Sequence, residues 1–250
     1  MNLIKLFKKA TVKKIDNVDL AEQLFNTLLV SASFGNSVLD KDVEYLLSQC
    51  KTRQEILDKI IELCGEPNTP KQRYLLAKAH AWSKVSHRKL AIKYLELYLN
   101  NDLYENNYKE HHHSLGDKYF SIEEEKNIHI AEICNYLGKA YEGEYEFDKA
   151  LMYYKKELEL TPFWPAAYCH VGGILIKQNK LIEAMDFYLR AKKSPYYKPV
   201  KYKDFFGKTQ TDSTFKKVID DHLADLKEKI DKGYVYKPRK KATAKHGDDN

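Results

Sequence analysis

Glycine and proline are scarce in this chain, with 10 Gly and 7 Pro among its 250 residues. Folds built from many short strands need these residues at their turns, so their scarcity argues against an all-β sandwich and favours long helices. Cysteine is also scarce, and no two of the four cysteines form a C-x-x-C pair, which excludes a disulfide framework and a zinc ribbon. The longest uncharged stretch, residues 23–39, is too short and too polar to span a bilayer.

The common catalytic and phosphate-binding motifs are absent as well. The sequence contains no H-E-x-x-H, no G-x-S-x-G and no Walker-type glycine loop. Acidic pairs such as Asp220 and Asp221 fall at helix starts or on solvated faces, where acidic residues are ordinary. We therefore expect a protein that is not an enzyme, with no catalytic residue, no cofactor and no metal.

The composition is that of a folded protein with charged ends. Apolar residues make up 43% and aromatic residues 12% of the chain, enough for a large core. Residues 1–14 carry five lysines and no acid, and residues 237–250 carry five basic residues against two acids. Subtracting both arms from the net charge of +6 leaves −2 for residues 15–236. These features predict a mostly helical cytoplasmic protein whose folded body is nearly neutral.

An internal repeat is the strongest signal in the sequence. Residues 131–164 match residues 165–198 when the two segments are aligned position by position. Small residues recur at the eighth and twentieth positions and an aromatic residue at the twenty-fourth: Gly138 and Gly172, Ala150 and Ala184, Tyr154 and Tyr188. Small residues let two helices approach closely while larger neighbours fill the space beside them. The pattern predicts two consecutive helix–turn–helix units.

This pattern resembles the tetratricopeptide repeat (TPR), whose unit is a 34-residue helix–turn–helix. Residues 70–100 form a third match, with small or apolar residues at the corresponding positions: Ala79, Trp82, Ala91 and Leu95. The resemblance implies an all-α, right-handed helical-repeat solenoid closed at both ends by capping helices. It also implies a protein–protein interaction adaptor, although the fold alone does not identify a partner.

The boundaries follow from the repeat and from helix start and stop signals. Capping boxes at Thr52 with Glu55 and at Ser121 with Glu124 predict two helix starts, and Gly65 a helix end. We expect helices over 17–33 and 40–50, and a closing helix over 212–232, as the second helix of a decayed unit whose first helix is YKPVKYKDFFG. The predicted segments are a basic arm (1–14), an N-terminal cap (15–66), unit 1 (70–100), an insert (101–130), unit 2 (131–164), unit 3 (165–198), a degenerate unit with its capping helix (199–232) and a basic tail (233–250).

The resemblance also implies a site, because in TPR proteins the first helix of each unit lines a concave groove. The corresponding residues are predicted to bind a protein or peptide segment: His80, Ser83, Glu132, Asn135, Lys139, Glu142, Cys169, Gly173 and Ile176. Their mixture of polar, charged and small groups suits a peptide backbone with varied side chains. The same residues would also be expected on the solvated side of any short solenoid. The family's Lys, Asn and Arg clamp for chaperone tails is absent, because its positions hold Leu76, His80, Tyr136, Ala166 and His170.

Two other functions remain open at the level of sequence. The basic arms would bind nucleic acid or an anionic surface through phosphate groups, and the aromatic and lysine residues of 196–206 could stack on bases or pack on the solenoid. His111–His113 in the insert could centre a metal site or an active site, although adjacent histidines do not have the usual ligand spacing.

Overall fold

The computed structural model describes residues 16–30, 41–102, 114–115, 118–203, 209–212 and 214–237. The chain divides into two compact units, unit A (Met1–Asp102) and unit B (Leu103–Asn250). His111–His113 and the N-terminal arm lie outside the described residues, as does the C-terminal tail beyond residue 237.

Unit A contains five described helices and two tight turns. The helices are α1 (Asn17–Val30), α2 (Lys41–Gln49), α3 (Arg53–Cys64), α4 (Pro70–Trp82) and α5 (Arg88–Leu97), with a 3-10 turn (Val85–His87) and a π-type turn (Tyr98–Asp102) on either side of α5. Helices α1, α3 and α4 pack together around Leu24, Phe25, Leu57, Ile60 and Leu75, all buried. Helices α4 and α5 form a hairpin in which Ala79, Ala91 and Leu95 are fully buried. These three residues lie at the positions that the repeat pattern predicts to be packed.

Local capping explains where α3 begins and ends. The Thr52 hydroxyl accepts a hydrogen bond from the backbone N–H of Glu55 at 3.2 Å, and the Glu55 carboxylate accepts one from the N–H of Lys51 at 2.6 Å. Gly65 ends the helix with a φ of 58°, a left-handed conformation that glycine adopts without steric cost. The predicted start and end of this helix are thereby confirmed.

Unit B contains the two well-matched repeats. Its helices are α6 (Ile122–Gly143), α7 (Phe147–Leu160), α8 (Pro165–Lys177), α9 (Leu181–Ala191) and α10 (Thr214–Asp231). Two short antiparallel strand pairs accompany them: β1 (Ser114–Leu115) with β2 (Lys118–Tyr119), and β3 (Val200–Lys203) with β4 (Thr209–Asp212). Helices α6 and α7 form one hairpin, α8 and α9 form the next, and α8 packs on α7. The predicted all-α repeat fold is confirmed.

Equivalent contacts hold the two hairpins of unit B together. A Cβ atom added to Gly138 would lie 2.4 Å from the Tyr154 ring, and one added to Gly172 would lie 2.7 Å from the Tyr188 ring. Both tyrosines are 1% exposed. The glycine at the eighth position therefore makes room for the aromatic ring at the twenty-fourth. The hairpin turns also match, since Tyr145 and Asn179, at equivalent positions of the two repeats, have φ angles of 64° and 62°.

The region after α9 differs from the prediction in two respects. The segment expected to be a decayed first helix, YKPVKYKDFFG, contains strand β3, which pairs with β4 from Val200 opposite Asp212 to Lys203 opposite Thr209. In addition, α10 packs on α9 as α8 packs on α7, so it holds the place of a first helix rather than a second. The repeat spacing misassigned it because the strand pair lengthens the connection.

Capping at the start of α6 leads to a stability prediction. The Ser121 hydroxyl accepts the N–H of Glu124 at 3.2 Å, and the Glu124 carboxylate accepts the N–H of Ser121 at 2.8 Å, as the capping box predicts. Ser121→Ala should lower the free energy of unfolding by about 1 kcal/mol because it leaves an N-terminal N–H without its acceptor. Ser121→Asp should keep nearly the wild-type free energy of unfolding, because an aspartate side chain also accepts the hydrogen bond at a helix N-terminus. Urea unfolding of both variants checks this, and equal losses in the two would contradict it.

Candidate functional site

The two predicted groove residues of unit A face different environments. His80 is 5% exposed, and its ring stacks on Tyr94 with centroids 5.7 Å apart, so its side chain is not on an open surface. Ser83 is half-buried at the end of α4, where its hydroxyl donates to the Ala79 carbonyl at 2.7 Å. His80 is buried because α5 folds back on α4 in the predicted hairpin and places the Tyr94 ring against the imidazole.

The other seven predicted residues lie on the first helices of the two repeats in unit B. Glu132, Asn135, Lys139 and Glu142 are on α6, and Cys169, Gly173 and Ile176 are on α8. Lys139 is exposed, and the remaining six are half-buried. We call the surface that these residues form, together with the residues of α10 identified below, the first-helix surface.

A buried carboxylate joins three helices beneath this surface. The Glu157 side chain, on α7, is 7% exposed and accepts hydrogen bonds from the Asn135 amide of α6 at 3.0 and 3.1 Å. Nδ1 of His170, on α8, lies 3.0 Å from the same carboxylate and 2.9 Å from the Asn135 amide nitrogen. Because a buried charge needs such partners, the cluster holds Asn135 and His170 in fixed orientations. Sequence analysis missed Glu157, since it lies on a second helix and carries no repeat signal.

A second polar cluster lies further along the same helices. Glu142 of α6 accepts the Tyr154 hydroxyl at 2.8 Å and the ammonium group of Lys177 of α8. Burial raises the pKa of the Tyr154 phenol, and the negative charge of Glu142 raises it further. The hydroxyl therefore stays protonated and donates to Glu142 at all ordinary pH values. The first helices are thus linked by polar contacts at two levels.

Helix α10 occupies the position of a first helix, so it adds a third helix to the surface formed by α6 and α8. The Tyr154 ring stacks on His170 with centroids 5.0 Å apart, and the Tyr188 ring stacks on His222 of α10 at 5.1 Å. If His222 is equivalent to His170, the counterparts of the groove positions on α8 are Val218, Asp221, Asp225 and Glu228. All four are exposed. Burial raises the pKa of the Tyr188 phenol, whose hydroxyl lies 3.5 Å from the backbone carbonyl oxygen of Cys169 on α8.

The cysteines are poor nucleophiles. Burial raises the pKa of the Cys169 thiol, on the first-helix surface, to about 12, and that of Cys64 to about 11. Burial also raises the pKa of Cys134 to about 12 and that of the half-buried Cys50 above its usual value. Thiols with such values are protonated at neutral pH and do not act as nucleophiles.

Two aromatic residues of the 196–206 segment, Tyr196 and Tyr197, pack against the fold. The Tyr196 ring lies 6.2 Å from Phe163 and 6.0 Å from Trp164, and the Tyr197 hydroxyl donates to Asp220 at 2.8 Å. These contacts agree with the packing interpretation rather than with rings available for stacking on bases.

Within the described residues, no cluster of three or more His, Cys, Asp or Glu side chains is arranged to hold a metal ion, and no helix is long and apolar enough to cross a membrane.

Similar solved structures include MamA from RS-1, a double mutant, with 16% identity and a TM-score of 0.42 over 72% of this chain and 76% of that one. MamA from MSR-1 gives 16% identity and a TM-score of 0.43, covering 71% and 91% of the two chains. PilF of Pseudomonas aeruginosa gives 15% identity and a TM-score of 0.27, covering 86% and 93%. No protein-family model and no curated protein matches the chain.

The fold of the described residues is a TPR-like helical repeat. TM-scores below 0.5 do not establish a common fold, so this assignment depends on the chain's own contacts. Three observations support the assignment: the two hairpins of unit B, the glycine–tyrosine contacts that recur in both repeats, and the matching hairpin turns.

Proposed function

We propose that this protein is a non-enzymatic adaptor that binds a protein or peptide segment on the first-helix surface of unit B. The observation that carries the proposal is the buried Glu157 cluster, which orients Asn135 and His170 at a half-buried surface. Polar side chains with fixed orientations can pair with the N–H and C=O groups of an extended segment at little entropic cost. The high pKa values of the thiols also favour a binding surface over a site for nucleophilic catalysis.

Gly173 supports close approach of a partner backbone. A Cβ atom added there would have the Tyr188 hydroxyl as its nearest neighbour, at 4.0 Å. Packing inside the protein therefore does not require glycine at this position, whereas it does at Gly172. The half-exposed glycine therefore leaves a gap on the surface of α8 between larger side chains. Gaps of this kind admit a partner's main chain.

The charges of the surface favour a partner with a defined order of charges. Lys139 on α6 is exposed, whereas α10 carries Asp221, Asp225 and Glu228 on one exposed face, where Asp225 and Glu228 also form ion pairs with Lys229 and Lys232. A segment lying across the helices would therefore place an acidic residue over α6 and a basic residue over α10. Complementary charges of this type contribute more to selectivity and association rate than to affinity.

Charge reversal tests the proposed surface. Lys139→Glu and Asp221→Lys should each weaken binding by about tenfold, which corresponds to 1.4 kcal/mol, because each reverses an exposed charge on the proposed surface. Neither substitution should change stability by more than about 0.5 kcal/mol, since both side chains lie at the protein surface. Lys155→Glu, an exposed lysine on α7, is the matched control and should leave binding unchanged.

The measurement is quantitative capture of proteins from lysate by the intact chain and the three variants at two salt concentrations. Proteins retained by the wild type and by Lys155→Glu, but lost with the other two variants, support the surface. Equal capture by all four chains would contradict it. Material that nuclease releases and that disappears with salt, with a steep dependence of log affinity on log salt, would instead assign binding to the basic arms.

A further inference from the structure

Two histidine rings of unit A face each other through the same ring nitrogen. Nδ1 of His80, in the last turn of α4, lies 3.0 Å from Nδ1 of His87, at the end of the 3-10 turn before α5. The ring centroids are 5.1 Å apart, with the planes tilted by 47°. His87 is the residue before α5, and its side chain makes no capping hydrogen bond. The contact therefore closes the connection between the two helices without serving as a helix cap.

Facing nitrogens at this distance match the geometry of a shared metal ion. Zinc binds imidazole nitrogens at 2.0–2.1 Å, so two such ligands on a tetrahedral ion lie about 3.3 Å apart and two at a right angle about 2.9 Å apart. The observed separation of 3.0 Å falls within this interval. A bidentate site would thus form once the two rings rotate so that both Nδ1 lone pairs point at one position beside the line that joins them.

The surroundings keep one ligand rigid and leave the other accessible. His80 is 5% exposed, and the stacked ring of Tyr94 holds its plane. His87 is half-buried, so an ion can enter from its side together with water. Metal ions bind the neutral form of imidazole, so both histidines take part in their uncharged state.

We propose that His80 and His87 form a bidentate chelate for a divalent transition-metal ion of the Zn²⁺ and Cu²⁺ class. Only two histidines take part, and the described residues contain no third ligand, so water molecules complete the coordination. The ion replaces the hydrogen bond between the two rings. The ring that donates through Nδ1 gives up this proton to water and takes one up on Nε2, so that both neutral rings bind the ion through Nδ1. Hard cations such as Mg²⁺ prefer oxygen ligands and do not compete for this pair.

The site is predicted to couple metal binding to the stability of unit A. The two nitrogens are held together only when α4 and the turn before α5 are folded, so an ion that binds the pair binds the folded state in preference to the unfolded one. Unfolding of unit A should therefore shift to higher temperature as Zn²⁺ or Cu²⁺ is added, and the shift should grow with metal concentration.

The test is a titration of the intact, untagged chain with ZnCl₂, CuCl₂ and MgCl₂. Equilibrium dialysis with metal analysis gives affinity and stoichiometry, and the electron paramagnetic resonance spectrum of bound Cu²⁺ reports nitrogen ligands. His87→Asn, at the accessible partner, should weaken binding by about tenfold or more and abolish the thermal shift. His80→Asn should do the same. His222→Asn, on exposed α10, and the triple replacement of His111–His113 by Asn are matched controls and should keep the site.

The outcomes separate the two explanations of the histidine contact. Saturable Zn²⁺ or Cu²⁺ binding that is lost in His87→Asn and retained in both controls supports the chelate. Binding that His87→Asn leaves unchanged, or that the triple replacement removes, overturns it. Absence of saturable binding up to millimolar Zn²⁺ and Cu²⁺ would also overturn the proposal and leave the pair as a hydrogen bond between two rings.

Discussion

Replacement of Gly138 by alanine should lower the free energy of unfolding by about 2 kcal/mol, the middle of the range for overpacked cores. The added Cβ would lie 2.4 Å from Cε1 and 2.6 Å from Cδ1 of Tyr154. The ring cannot move aside easily, because it is 1% exposed and its hydroxyl is bonded to Glu142. The steric cost is therefore expected to exceed the gain of about 1 kcal/mol that alanine brings to a helix interior.

Gly173→Ala provides the matched control for this prediction. The substitution is the same and the residue also lies within a first helix, but the new Cβ would meet only the Tyr188 hydroxyl at 4.0 Å. It should raise the free energy of unfolding by up to about 1 kcal/mol. Urea unfolding followed by circular dichroism measures both values. A Gly138→Ala protein as stable as the wild type would show that the glycine–tyrosine contact does not hold the repeat together.

The second large effect is a loss of stability in acid that depends on His80. Burial holds the pKa of this histidine at about 4, whereas in the unfolded chain it is about 6.5. Above pH 6.5 the residue is neutral in both the folded and the unfolded state, so it does not change the free energy of unfolding with pH. Between pH 6.5 and 4 only the unfolded chain takes up the proton. The free energy of unfolding of unit A should therefore fall by about 3 kcal/mol over this interval.

Comparison with His80→Gln isolates this contribution from other titrating groups. The free energy of unfolding of both proteins is measured from pH 7 to pH 4 in the presence of a chelator, so that no metal occupies the histidines. The wild type should lose stability more steeply than the variant, and the difference should develop below pH 6.5. Parallel curves for the two proteins would contradict the neutral, buried state of His80.

Local patterns in the sequence predicted much of the fold correctly. The spacing of Gly138, Ala150 and Tyr154, which recurs in the next repeat, predicted the two hairpins of unit B because it records which side chains pack between paired helices. Capping boxes predicted the starts of α3 and α6 because their hydrogen bonds join residues only three apart. Such features depend on neighbouring residues, so the sequence alone carries them.

The candidate site was less predictable because its contacts join distant parts of the chain. The nine predicted groove residues followed from the repeat position alone and stay a prediction as a binding site. Glu157 and His170 lie on different helices and meet only because α8 packs on α7. The hairpin of α4 and α5 was predicted, but the pairing of His80 with His87 was not, because the repeat pattern specifies only the residues that pack between the two helices.

By itself, the sequence determined that the chain forms helical hairpins at a regular period and where several helices begin and end, because close helix packing and capping impose residue types at fixed spacing. Tertiary structure alone decided that α10 acts as a first helix, since a strand pair interrupts the period before it. It also decided which polar groups are buried, pairing Glu157 with Asn135 and His170 and covering His80. Burial and pairing of polar groups depend on what distant segments place beside them, and that information is not contained in spacing along the chain.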